Sequence, residues 1–169
     1  RELTRVDPLT GLLNRNGFDE HLRECADRAQ ADEELLALLY IDLDHFKQVN
    51  DRHGHPVGDE LLKIFAKRMR NAVRPGDAVA RLGGDEFAIV LAGLKASTNA
   101  QRVADKVLAA AQAPFNVGKL SLRVGASVGI AFWQRGDGDG HLLVERADAM
   151  LYRAKQDGRG RYASADPLQ

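Results

Sequence analysis

Two short acidic stretches hold the residues best suited to chemistry. The first is Arg81-Leu82-Gly83-Gly84-Asp85-Glu86-Phe87, in which the two glycines offer the positive φ of a tight hairpin turn and two acids open the returning strand. The second is Asp42-Leu43-Asp44, placed between an apolar run and His45-Phe46-Lys47. Carboxylates beside buried strands cost desolvation energy unless a cation or hydrogen bonds meet them. Mg²⁺ prefers a couple of carboxylates plus phosphate oxygens to an all-protein cage, so Asp42 and Asp85 would suit it if two adjacent strands brought them together. His45-Phe46-Lys47 would turn backbone N–H groups and an ammonium toward the same place, making a cradle for phosphate and metal. Taken singly, each stretch keeps a plainer reading: a solvated turn for Gly-Gly-Asp-Glu, a strand end for Asp-x-Asp.

Other candidates are equally double-edged. Asn50 and Asp59 could read the edge of a nucleobase, amide to carbonyl and carboxylate to N–H, or could cap helices and turns. Lys155 and Arg159 lie four apart across the end of the last helix, where basic residues complement the helix dipole whether or not they bind phosphate. His53-Gly54-His55 lacks a cysteine or a spaced third ligand for zinc and reads as a polar loop. The Gly-Asp-Gly-Asp-Gly run at 136–140 lacks the spaced third acid and terminal glutamate of a calcium loop and reads as a surface turn. No Gly-x-x-x-x-Gly-Lys-Ser/Thr stretch occurs, which excludes a P-loop NTPase.

The elements that must position these residues follow from periodicity. After a turn-rich entry, Asp7 to Leu12, a helix runs to about Ala31 with Phe18, Leu22, Cys25 and Ala29 on one face. Leu35 to Ile41 is a continuous apolar run of strand length, buried on both faces, that stops at Asp42-Leu43-Asp44. Gly58-Asp59 opens a helix with Leu61, Leu62, Phe65, Ala66, Met69 and Val73 inward, ended by Pro75-Gly76. Asp77–Leu82 and Phe87–Leu91 are the hairpin arms, the second apolar enough to be central. Ser97 or Thr98 caps a helix through Ala113. Leu120 to Phe132 reads as a strand whose end, from Ser127, is central. A last helix spans His141 to about Asp157, stopped by Gly158, and a short strand follows near Tyr162. Strands separated by amphipathic helices, with one tight hairpin, predict an α/β or α+β sandwich on a mixed sheet.

With 169 residues the chain is the size of one domain. Its 24 basic and 24 acidic residues cancel, so no excess of positive charge points to nucleic acid, and local charge must do any phosphate work. The single cysteine, Cys25, excludes an internal disulfide and sits on an apolar helix face as a core residue. No apolar run approaches the ~20 residues of a membrane span and no signal peptide opens the chain, which leads us to expect a cytoplasmic domain without membrane contact. A start at Arg1 rather than Met suggests a domain, 1–169, cut from a longer multidomain signalling protein.

Read together, these motifs resemble the GGDEF family, the diguanylate cyclases, from Asp7 to Arg161. The matches are Asp7-Pro8-Leu9-Thr10-Gly11-Leu12-Leu13-Asn14-Arg15, then Asp42 through Asp51, then Gly54-His55-Pro56-Val57-Gly58-Asp59. They continue with Gly83 to Phe87, Ser127-Val128-Gly129-Ile130-Ala131, Ala147-Asp148, Leu151-Tyr152, and Lys155 to Gly158-Arg159. The resemblance implies a five-stranded sheet wrapped by helices, related to nucleotidyl cyclase and polymerase palm domains. It implies that Asp42, the Leu43 carbonyl and Asp85 hold Mg²⁺ or Mn²⁺, and that Asp85, Glu86 and Lys47 are catalytic. His45, Phe46 and Lys47 would line the triphosphate, Asn50 and Asp59 would read guanine, and Lys155 and Arg159 would touch phosphates. It further implies a product-inhibition site at Arg74 and Asp77, five residues before the signature, supported by Lys106 where the family commonly has arginine. Gly160 departs from the asparagine often found there.

The function expected from this resemblance is the condensation of two GTP into cyclic di-GMP and two pyrophosphates across a transient homodimer of half-sites. The alternative is a catalytically silent module that binds GTP or cyclic di-GMP. Retention of Asp42, Asp85 and Glu86 favours the enzyme.

Overall fold

The structure, a computed structural model, describes residues 4–165; the outermost residues of the expected 1–169 domain lie outside that range. After the entry segment, Asn14 starts α1 (Arg15–Asp32), its side-chain oxygen accepting from the Gly17 N–H at 2.9 Å. Then come β1 (Leu35–Asp44), α2 (Phe46–His53), α3 (His55–Ala72), β2 (Ala78–Gly83) and β3 (Glu86–Leu94). They are followed by α4 (Thr98–Gln112), a small hairpin of β4 (Phe115–Val117) and β5 (Leu120–Leu122), β6 (Gly125–Phe132), α5 (His141–Gln156) and β7 (Tyr162–Ser164). The five-stranded sheet runs β2-β3-β1-β6-β7, antiparallel except for the parallel β6–β7 pair. This is the mixed α+β architecture that the sequence predicts.

Alternation along β1 divides the core in two. Ala37, Leu39, Ile41 and Leu43 face one side, where Leu61, Leu62, Phe65 and Met69 of α3 and Ala100, Ala104 and Val107 of α4 cover them. Leu36, Leu38 and Tyr40 face the other, against Phe18, Leu22 and Cys25 of α1 and Leu143, Ala147 and Leu151 of α5. Asp42 and Asp44 continue the second face in register, beyond its last apolar residue. The strand that carries the acids is therefore central and mostly buried, with Asp42 partly exposed at its end. Helix α5 lies very close to β6, since a Cβ on Gly129 would come within 2.2 Å of the Ala147 carbonyl oxygen and the Leu151 amide nitrogen. That approach brings the C-terminal turn of α5 toward the end of β1. None of the described helices is long and apolar enough to cross a membrane.

Several boundaries differ from the sequence-based expectation. Strand β1 does not stop before Asp42 but continues through Asp44, because neighbours pair with it on both sides: Asp42 faces Glu86 of β3 and Ser127 of β6. The polar loop expected at His53–His55 is a one-residue break, Gly54 at φ 91°, between two helices, and α3 opens at His55 with Pro56 in its first turn rather than at Gly58. Ser97 stands at the start of α4 but makes no side-chain cap, its own backbone being helical. The stretch from Leu120 is two strands, β5 and β6, the first pairing only with β4. The 136–140 turn is more than surface: Asp137 is buried and ion-paired with Arg146 at 2.6 Å.

Candidate active site at the end of β1

Acids from the central strand and from the hairpin meet on one face of the sheet. Asp42 is directly opposite Glu86, and the Leu43 N–H donates to the Asp85 carbonyl oxygen at 3.3 Å, which fastens the hairpin turn to the end of β1. Gly84, at φ 51°, makes the turn that reverses the chain just before Asp85. Burial, and then the charge of the neighbouring Asp42 carboxylate, push the Asp85 carboxyl up to about 6. Lys155, reaching from the last turn of α5, ion-pairs with Asp42 Oδ2. Asp42 Oδ1 is buried and has no partner.

An acid with one orphaned buried oxygen beside a second acid that resists ionisation is a pair short of positive charge, a donor set that fits a divalent cation. Among the described residues no group of three or more His, Cys, Asp or Glu forms an all-protein cage. Two carboxylates with room left for phosphate oxygens is the arrangement expected of a magnesium-type site.

The remaining predicted residues lie at the start of α2, along α2 and α3, and just after α5. His45 takes a left-handed backbone, φ 67°, and launches α2. The Phe46 ring is buried in the core, so only its main chain can face a ligand, whereas Lys47 is exposed in the first turn. Asn50 lies across α3 at Gly58: a Cβ there would fall 1.8 Å from Asn50 Oδ1, so only glycine leaves room for the amide. Asn50 Oδ1 is itself buried without a partner, and Asp59 is the next residue along α3, exposed. The two base-reading candidates thus come from two helices joined through Gly54 rather than from the flanks of a loop. Arg159 follows α5, exposed, 3.7 Å from Asp44 Oδ1.

Four contacts at this end were not read from the sequence. The Tyr40 hydroxyl donates to Glu86 Oε1 at 3.2 Å, and burial together with the Glu86 charge pushes that phenol up. Asp44, 3% exposed, accepts from Ser127 Oγ at 2.8 Å and from the Gly160 N–H at 3.0 Å. Arg81, at the head of the signature, pairs with Asp7 at 3.2 Å and so ties the entry segment to the hairpin. All four join residues at least 46 apart in the chain, which no local pattern could have disclosed.

The residues predicted for product inhibition line a separate cavity of about 350 Å³ between α3, the hairpin and α4. Arg74 donates to Asp77 through Nε at 3.1 Å and Nη2 at 2.9 Å, and to the Ala92 carbonyl oxygen at 3.1 Å. Lys106 lines the same cavity, with Asn99 and Arg102 beside it. Arg102, one helical turn before Lys106, is a second cation that the sequence reading overlooked.

The family model described as "Diguanylate cyclase, GGDEF domain" matches residues 4–161. The chain is 41% identical over 166 residues to the bifunctional diguanylate cyclase/cyclic di-GMP phosphodiesterase MucR of Pseudomonas aeruginosa, covering 96% of this chain and 24% of that protein. Its structure is similar to that of the GGDEF domain of TpbB (YfiN) from Pseudomonas aeruginosa, with a TM-score of 0.90 at 40% identity over 95% of this chain and 94% of that one. It is also similar to the GGDEF domain of DgcB from Caulobacter crescentus in complex with c-di-GMP, with a TM-score of 0.89 at 32% identity over 98% and 96%. The chain spans between 20% and 36% of the length of the first curated relatives that it matches.

Proposed function

This chain belongs to the GGDEF family of diguanylate cyclase domains, and from that premise we propose that it condenses two GTP into cyclic di-GMP and two pyrophosphates. The observation that carries the proposal is the orphaned Asp42 Oδ1 beside an Asp85 that burial and its neighbour hold largely neutral in slightly acidic solution. Mg²⁺ or Mn²⁺, held by Asp42, the Leu43 carbonyl and Asp85, would supply the charge neutralisation that a phosphoryl displacement needs.

The chain's own residues do the positioning, which dominates such chemistry. Asn50 and Asp59 grip the guanine edge, and the N-terminal amides of α2 at His45 and Phe46, with the Lys47 ammonium, receive the triphosphate. Lys155 and Arg159 neutralise phosphate charge from the end of α5. Glu86, aimed by Tyr40, stands at the reacting centre beside the 3′-hydroxyl of the incoming nucleotide. One domain holds one GTP, so product requires two domains opposed about a two-fold axis, a transient homodimer.

Cyclic di-GMP is proposed to return to the Arg74–Asp77 cavity, with Lys106 and Arg102 as further cations, and to restrain the domain in an unproductive arrangement. The whole is proposed to be the 1–169 output domain of a longer cytoplasmic signalling protein, without nucleic-acid or membrane contact of its own. Incubating the protein with GTP and Mg²⁺ and resolving nucleotides by chromatography tests the reading. Cyclic di-GMP with matching pyrophosphate supports the cyclase; GTP or cyclic di-GMP binding without product assigns the silent module instead.

A further inference from the structure

The turn after α5 holds one residue with a side chain, Arg159, in a backbone conformation that such residues do not favour. Arg159 has φ 63° between Gly158 at 123° and Gly160 at 61°. The left-handed region is disfavoured for a residue with a Cβ, and such residues persist where the surroundings over-determine them. Backbone bonds hold the turn from both sides: the Arg159 N–H donates to the Ala154 carbonyl oxygen at 3.0 Å, and the Val128 N–H to the Arg161 carbonyl oxygen at 3.0 Å.

The only side-chain acceptor for the turn's own amides among the described residues is Asp44. Its Oδ2 accepts from the Gly160 N–H at 3.0 Å, its Oδ1 accepts from Ser127 Oγ at 2.8 Å, and Arg159 Nη1 stands 3.7 Å from Oδ1. Gly125 lies opposite Asp44 on β6, where even a Cβ would meet Oδ2 only in ordinary contact at 3.4 Å. Asp44 and Asp42 share a face of β1, two residues apart, yet their states are opposite. Asp42 keeps an unpartnered oxygen, whereas both Asp44 oxygens are taken by donors from β6 and the turn.

We propose that Asp44 is a positioning residue: it latches the Gly158–Gly160 turn to the rigid end of β1 and so presents the Arg159 guanidinium to the phosphates of GTP. The inference rests on the nucleotide reading above for the ligand of Arg159, and it makes Asp44 a binding device rather than a third metal carboxylate. Loss of the latch releases the turn and weakens nucleotide binding, while Asp42, Asp85 and Glu86 stay as they are.

The test is a double-mutant cycle read by calorimetry with guanosine 5′-(α,β-methylene)triphosphate and Mg²⁺, a probe that cannot be turned over. Asp44→Asn and Arg159→Ala are each expected to raise the Kd about tenfold, the scale of a charge-assisted contact, and the double variant to bind no more weakly than the weaker single one. The Mg²⁺ concentration that half-saturates binding stays at its wild-type value. Losses that multiply in the double variant, an Asp44→Asn Kd equal to wild type, or a raised Mg²⁺ requirement in Asp44→Asn would each overturn the inference. If Asp44→Asn melts below the assay temperature, Ser127→Ala, which removes one donor without changing charge, is expected to raise the Kd about threefold; a wild-type Kd would overturn it equally. Wild-type protein that binds the probe but makes no cyclic di-GMP defeats the cyclase reading and leaves the cycle to decide the latch. Wild-type protein that does not bind the probe defeats both.

Discussion

Asp42 at the end of β1 and Asp77 at the start of the hairpin are both acids held close to a basic residue, and the structure completes only one of them. Asp77, 6% exposed, takes three hydrogen bonds from Arg74: the backbone N–H at 3.0 Å, Nε at 3.1 Å and Nη2 at 2.9 Å. Asp42 has Lys155 on one oxygen and nothing on the other, with Asp85 pressed against it. Arg74 and Asp77 are three residues apart and pair locally, leaving an Arg74 side chain that is 59% exposed at the rim of a cavity. The acids at β1 are brought together by strand register across the sheet, where neither can turn away. An incomplete buried pair is a place for a cation; a complete pair is a preformed surface for a ligand to dock on.

The largest predicted effects break the incomplete cluster. Asp42→Ala and Glu86→Ala are expected to lower cyclic di-GMP formation by at least about 10³-fold, roughly 4 kcal/mol in the barrier. Circular dichroism should show the fold retained, because Asp42→Ala removes one of two repelling acids rather than a core contact. Full activity in either variant would remove that residue from the site. Next in size is base discrimination, which depends on Asp59 beside the Gly58–Asn50 contact. Asp59→Ser is expected to reduce the preference for GTP over ATP by about a hundredfold, since a site built to hydrogen-bond a base strongly rejects one that leaves its groups unpaired. Unchanged discrimination would mean that the base is read elsewhere.

The complete cluster should respond more mildly. Arg74→Ala frees Asp77 and is expected to raise the cyclic di-GMP concentration that halves the initial rate by about tenfold, with the uninhibited rate unaltered. Lys106→Arg replaces a point charge by a planar fork in the same cavity and is expected to lower that concentration by about threefold. Identical inhibition curves for wild type and Arg74→Ala would reduce Arg74-Pro75-Gly76-Asp77 to a turn after a helix.

How much of this was legible in the sequence depended on whether a residue's partners lie nearby in the chain. The buried faces of α1 and α3 followed from spacing alone, because Phe18, Leu22 and Cys25, or Leu61, Leu62, Phe65 and Met69, repeat at helical period. Arg74 and Asp77 came only from the family resemblance, which places such a pair five residues before the signature. Helix α2 escaped notice because it has eight residues, buries only Phe46 and Val49, and is bounded by His45 in a left-handed conformation and by Gly54. Asp44 was legible as a candidate but not in its contacts, since Ser127 and Gly160 lie 83 and 116 residues away. Tyr40 looked like one more apolar strand residue; only the sheet register sets its hydroxyl against Glu86.

The smallest predicted effect sharpens the comparison without any assay of turnover. Asp85 has its carboxyl raised from 3.8 to about 6, first by burial and then by Asp42. The folded state therefore binds that proton more tightly than the unfolded state, and between those two values the folded protein carries more protons. Stability linked to Asp85 must fall as pH rises through this window, the reverse of an acid stabilised by a salt bridge. In chelator-treated protein the wild-type Tm is thus expected to drop by a few degrees between pH 5 and pH 7 relative to Asp85→Asn, which has no carboxyl to ionise. The subtraction cancels the titration of the other acids common to both proteins. At pH 7 Mg²⁺ should restore the wild-type Tm and leave Asp85→Asn almost unmoved, since the ion supplies the positive charge that the pair lacks. Calorimetric scans of both proteins at the two pH values decide the matter. Parallel Tm changes would show that the Asp85 carboxyl is not raised, and the contrast between an incomplete and a complete cluster would lose its electrostatic basis.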